Sequence, residues 1–154
     1  MAAVATITHK IDAQIVSRLK GIPSERTFKK WLLAALPKSA TLTLRVVNAA
    51  EGRSLNSAFR GKDYATNVLT FVYHEKKSAQ LVGDIVLCAP IVALEARAQG
   101  KTLAAHYAHL TVHGALHMAG MDHEKSRAAL AMEKKEIAIL AALGYQNPYL
   151  NDEP

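Results

Sequence analysis

Cysteine is all but missing from this 154-residue chain, with Cys88 standing alone. One thiol cannot build a disulfide framework, and its isolation fits a reducing compartment. It also excludes the closed, thiolate-rich site by which many structural zinc domains hold their metal. Long apolar runs are missing too. The most apolar segment, Ile137 to Leu143, falls far short of the roughly 20 residues that span a bilayer, so no membrane partner is expected. Met1-Ala2-Ala3-Val4 has no basic region leading into an apolar core; no signal peptide is expected, and the cytoplasm is the expected compartment. No repeat, low-complexity tract or Pro/Ser/Gly linker marks a boundary. Residues 1–154 are therefore expected to form one domain, long enough to bury a core.

Acidic residues are scarce in one half only. Residues 1–62 hold eleven Lys/Arg against three Asp/Glu, whereas residues 63–154 hold eight against ten. The basic excess lies wholly in the first part, and a basic surface suits a polyanionic partner such as nucleic acid. A soluble basic protein with no such partner shows the same composition.

What the chain does have is histidine, and it is concentrated. Five of the seven lie between His106 and His123. His113 and His117 are four residues apart, so on a helix their side chains sit about 40° apart on one face, one turn above the other. Gly120 lets the chain leave the helix, and the turn can bring His123 back toward the pair. Three imidazoles with a fourth position left to water are the ligand set of a catalytic zinc. His-Glu-x-x-His-x-x-Gly-x-x-His, the metzincin protease signature, has the same ligand spacing, but its glutamate position is here Gly114, which carries no base. That argues for a metal-dependent hydrolase of something other than peptides. A nucleobase deaminase would need a separate glutamate and usually cysteine ligands, and neither pattern is present. His106 and His109 are either ordinary helix residues or partners that orient a ligand imidazole. Asp122 reads as the N-cap of the next helix, as a catalytic carboxylate that supports a ligand imidazole or accepts a proton, or as both cap and catalytic group.

Along the chain, residues 4–16 read as extended. Ser24 is a candidate N-cap for a helix with Phe28, Trp31, Leu32 and Ala35 on its inner face, ended by Pro37. Thr41 to Val47 alternates as a strand. Glu51 to Gly61 is expected to be a short helix with Leu55, Ala58 and Phe59 inward and Arg60 and Lys62 at its end. Val68–Tyr73 and Leu81–Cys88 read as an antiparallel hairpin with a long polar loop, Asp84 interrupting the second strand as a carboxylate in need of partners. Pro90 opens a helix closed by Gly100, and Thr102 begins the long helix of His113 and His117. The last helix, about Glu124 to Leu143, is expected to turn Leu130, Ile137 and Leu140 inward and Glu133 to Glu136 to solvent, with a loose tail beyond Gly144. Few strands with helices gathered at one end suggest an α+β fold: a small mixed β-sheet packed with helices, the metal-binding helix near the C-terminal half.

The chain resembles the YbeY family of bacterial ribosomal-RNA maturation endoribonucleases. One block is His109-Leu110-Thr111-Val112-His113-Gly114-Ala115-Leu116-His117 through Gly120, Asp122 and His123. The other is Leu55-Asn56, Phe59-Arg60-Gly61-Lys62-Asp63 and Thr66-Asn67-Val68-Leu69-Thr70-Phe71, with Gly83-Asp84-Ile85 and Pro90 also in register. The resemblance covers about residues 42–145. Ala65, Thr70 and Met118 depart from the usual proline, serine and leucine. The resemblance implies one zinc-type ion on His113, His117 and His123, and a functional arginine at Arg60. It further implies single-strand-specific RNA cleavage in small-subunit (16S) ribosomal RNA maturation and ribosome quality control. The implied partners are an rRNA precursor, the ribosome and its proteins, and Asn67, Asp84 and Asp122 are candidates to support the site.

The metal in such a site would acidify a bound water or polarise a phosphoryl oxygen, and Arg60 suits the charge that builds on non-bridging oxygens. Three imidazoles favour zinc, although affinity order alone does not exclude nickel or copper. The alternatives are a metallohydrolase of another substrate and an RNA-binding ribosome-assembly factor whose metal is structural.

Overall fold

In the computed structural model, residues 7–121 and 126–150 are described, and they form a four-stranded mixed sheet with five helices. Local signals set most element ends. Ser24 caps α1 (Glu25–Ala35) by accepting from the Thr27 backbone N–H, and Thr102 caps α4 (Leu103–Met118) through Ala105 in the same way. Pro90 sits in the first turn of α3 (Ala89–Ala98), where its missing N–H has no intrahelical use.

Strands β1 (His9–Ile15), β2 (Ser39–Val47), β3 (Val68–Val72) and β4 (Gln80–Cys88) lie in the order β1-β2-β4-β3. β1 runs parallel to β2 and β2 parallel to β4, while β3 is antiparallel to β4. The expected hairpin is thus present, and β3 is left as an edge strand.

The inward face of β2 and β4, carrying Leu42, Leu44, Val46, Leu81, Ile85 and Leu87, packs against α1 and α4 in the main core. Phe28 and Trp31 lie there edge to face, their rings 5.6 Å apart, and Tyr107 of α4 meets Phe28 at 5.8 Å. Helix α2 (Ala49–Arg60) covers part of the opposite face, where Leu55 and Phe71 pack on Val47, Leu69 and Val86. Helix α5 (Ser126–Ala142) lies against α4. Among the described residues, no helix is long and apolar enough to cross a membrane.

Three expectations are corrected. Helix α2 buries Gly52 and Asn56 instead of Ala58 and Phe59, which are exposed; only Leu55 of the expected trio packs inward, and partly. The helix approaches β4 through Gly52, where an added Cβ would lie 3.1 Å from Cys88 Sγ, and this close contact rotates its face. Helix α5 buries Met132, Glu136 and Leu140, leaving Leu130 exposed. The described part of the tail, residues 145–150, is docked: Tyr145 meets Trp31 at 6.0 Å, and the carbonyl of buried Pro148 accepts from Lys101 Nζ at 2.7 Å. Asp84, by contrast, has the hydrogen-bonding partner expected of it: only partly buried, on the face opposite the main core, it accepts the Tyr73 hydroxyl at 2.9 Å.

Helix α4 crosses β4 at close range. A Cβ on Gly83 would stand 2.2 Å from the Phe71 carbonyl oxygen and 2.7 Å from Met118 Cε. At Gly114 the nearest atom is Ile85 Cγ2 at 3.1 Å, a side chain that can yield. Gly83→Ala is therefore expected to destabilise the fold by about 3 kcal/mol or more. Gly114→Ala should change stability by less than about 1 kcal/mol, alanine's better helix propensity offsetting the crowding. Urea unfolding midpoints check this: equal midpoints for the two variants would refute the close-approach account.

Candidate metal centre and cleft

Helix α4 is buried on nearly every side, and His109, His113 and His117 form the stripe on it that stays partly open. They recur at i, i+4 and i+8, so their rings stack along one face: the centroids are 6.3 Å apart for His109 and His113 and 4.6 Å for His113 and His117. The helix ends in a Schellman turn. Gly120, at φ +97°, donates to the His117 carbonyl at 2.9 Å, and Met121 donates to the Leu116 carbonyl at 3.0 Å. The chain thus leaves the helix directly after the histidine pair, at the glycine that motif spacing predicts. Asp122 and His123 lie outside the described residues.

Gly114 faces Ile85 of the sheet, away from the histidine stripe. A glutamate at that position would have to enter the core. The missing peptidase base is thus matched by a helix pressed onto its sheet.

The carboxylate of this site comes from elsewhere. Glu136 of α5 is fully buried, and one of its oxygens accepts from His113 Nδ1. Its other oxygen accepts the Tyr149 hydroxyl and lies 3.4 Å from His109 Nε2, which is itself 3.2 Å from that hydroxyl. Burial alone would push the carboxyl's pKa up, but the hydrogen bonds from His109, His113 and Tyr149 outweigh it and bring it down to about 2. Neither Glu136 nor Tyr149 emerges from the histidine motif. The available signals were an i, i+4, i+8 register of Met132, Glu136 and Leu140, and aromatic residues in a segment read as tail.

His106 lies one turn earlier on the same side of the helix, its ring 6.3 Å from that of His109. Its Nε2 is 3.0 Å from Glu95 of α3, whose carboxylate also accepts from Asn67 Nδ2 at 3.0 and 3.3 Å. Burial lowers the His106 pKa, with Glu95 opposing in part. His106 and Asn67 are thus tied to the helix packing, while Asn67 also reaches the cleft.

That cleft, of about 640 Å³, runs along the free edge of β3. His113 and His117 line it from the α4 side; Phe59 and Arg60, at the end of α2, line it from the other. Thr66, Asn67 and the length of β3 form its floor. Sequence candidates Arg60, His113, His117 and Asn67 are thereby brought together. Asp84 does not line the cleft but holds Tyr73, which does.

The donor set fits a borderline-soft divalent ion such as zinc: two imidazoles one turn apart, facing one cleft, the first anchored through Nδ1 by a carboxylate. With Nδ1 engaged, coordination by His113 falls to Nε2. Among the described residues, no group of three or more His, Cys, Asp or Glu side chains is placed to hold a metal ion. The expected third ligand, His123, is beyond them.

A sequence model of the Endoribonuclease YbeY family matches residues 10–144. The chain is 53% identical over 139 residues to Endoribonuclease YbeY of Polynucleobacter asymbioticus, spanning 90% of this chain and 89% of that one. It is 58% identical over 127 residues to the protein of the same name from Aromatoleum aromaticum, covering 82% and 81% of the two chains. Nitrosomonas europaea has a further relative so named, 51% identical over 91% of this chain and 84% of its own. In fold, the chain is similar to the solution structure of TM1509 from Thermotoga maritima, with a TM-score of 0.54, 24% identity, and coverage of 92% of this chain and 96% of that one.

A carboxylate whose pKa is depressed on folding stabilises the native state above its unfolded pKa and loses that contribution as pH falls through the folded value. Glu136 moves from 4.5 to about 2, a contribution on the order of 3 kcal/mol near neutrality. Stability should therefore fall as pH drops from about 4.5 toward 2. Glu136→Gln should remove most of that slope and lower stability at pH 7. Urea midpoints measured across this range check it, and an unchanged acid slope in the variant would overturn the assignment.

Proposed function

The chain belongs to the YbeY endoribonuclease family, and on that premise we propose that it is a single-strand-specific, metal-dependent endoribonuclease acting in 16S ribosomal RNA maturation and ribosome quality control. One observation carries the reading: Arg60, His113 and His117, from two distant helices, line the same cleft. The strongly basic residues 1–62 suit a polyanionic substrate in addition.

Under this reading, His113 and His117, with His123, would hold one zinc-type ion. When bound, such an ion supplies Lewis-acid chemistry, lowering the pKa of a coordinated water and polarising a phosphoryl oxygen. The chain's own groups do the rest. The Arg60 guanidinium, always charged and forked, grips the non-bridging oxygens and matches the charge that grows there as the phosphorus becomes five-coordinate. Glu136 keeps the His113 ring in one tautomer and one orientation, Nδ1–H inward and Nε2 toward the cleft. Tyr149 and His109 fix Glu136 in turn. Asp122 is assigned the support of a ligand imidazole or the acceptance of a proton. Peptide hydrolysis is disfavoured, since position 114 has no base and faces the core.

His117→Ala is expected to lose both bound metal and RNA cleavage. Arg60→Ala should retain metal but cut turnover roughly 100-fold. Metal analysis paired with cleavage of a single-stranded ribosomal RNA precursor fragment measures both. Full cleavage by Arg60→Ala would refute its role, and cleavage that persists after complete chelation would refute metal dependence. RNA affinity should also fall steeply between low and physiological salt; a flat response would remove the basic half from substrate binding.

A further inference from the structure

Helix α2 leaves Phe59 67% exposed, and the chain just past β3 leaves Tyr73 63% exposed. A single exposed apolar side chain is ordinary, but large rings gathered along one groove mark a binding surface. Both line the cleft that holds Arg60, His113 and His117. Neither ring is loose. Phe59 rests against Phe71, the centroids 5.0 Å apart at an interplanar angle of 64°. Tyr73 is pinned by its hydroxyl to Asp84 at 2.9 Å, and its backbone N–H continues the ladder to Val82. Phe71 and Tyr73 are two residues apart on an extended strand and so face the same side, about 7 Å apart along it. The two exposed rings thus follow one another along the β3 edge, beside a guanidinium suited to phosphate.

We propose that Phe59 and Tyr73 form a base-stacking platform that receives unpaired nucleotides of an RNA strand whose backbone is held by Arg60. This rests on the RNA-cleavage reading above and accounts for its single-strand restriction: a ring can stack only on a base whose face is not already covered by a duplex neighbour. Stacking tolerates any base, since each has a π-face, so the platform selects strandedness over sequence. Asp84, which interrupts an otherwise apolar strand, acts here as a positioning residue, holding the Tyr73 ring at the cleft wall.

The test uses the full metal-loaded chain and a fluorescently labelled, 2′-O-methyl single-stranded oligonucleotide, checked on a gel to remain intact. A second strand of the same length carries abasic sites, and a third probe is the duplex. Phe59→Ala is expected to weaken binding of the base-bearing strand about tenfold and to leave the abasic strand and the duplex unchanged. Phe59→Tyr should restore the wild-type affinity. Tyr73→Ala should behave like Phe59→Ala, and Phe59→Trp should show fluorescence quenching by the base-bearing strand only, over the constant signal of buried Trp31. If Phe59→Ala weakens the base-bearing and abasic strands equally, or neither, the platform is overturned while the RNA reading stands. If the wild-type chain binds none of the three probes, the RNA reading fails and the platform falls with it.

Discussion

The close approach of α4 to β4 is the constraint from which the site follows. The helix lays Gly114 on Ile85 and Met118 Cε on Gly83, whose other close neighbour is the Phe71 carbonyl of β3. Pressing the helix onto the sheet leaves one stripe, His109, His113 and His117, turned toward the sheet's free edge. The same contact points position 114 into the core, away from the histidines. A peptidase-like ligand spacing therefore serves a site whose carboxylate must arrive from another element.

That carboxylate, Glu136, shows how a polar network is kept within an apolar layer. A buried carboxylate is costly unless nearly every acceptor position is met. His113, Tyr149 and His109 supply three partners, enough to hold the group ionised. One consequence is mechanical. The final helix and the docked tail are tied to the imidazole that would hold the metal, so segments far apart in the chain set one ring's orientation.

Much of the fold was legible because its signals are local. Ser24 and Thr102 cap helices through their own neighbours' amides, and Gly120 turns the chain because its φ is positive. The alternation of β2 and the hairpin of β3 and β4 needed nothing beyond side-chain period. Helix faces were less legible. Phe59 looked like core and is exposed, and Glu136 looked like surface and is buried. In both cases hydrophobicity misjudged a residue whose surroundings were supplied by another element: the cleft for Phe59, and three hydrogen-bonding partners for Glu136.

By itself the sequence determined the spacing of His113 and His117, the turn after them and the family to which the whole pattern is similar, because helical geometry and capping depend on residues within a turn of one another. Only the tertiary structure decided that Arg60 shares a cleft with those histidines, that β3 lies at the sheet edge to form its floor, and that Glu136 stands behind His113. These are contacts between elements distant in the chain. They are chosen by how faces pack and by which polar groups find partners once buried, and no local period records either.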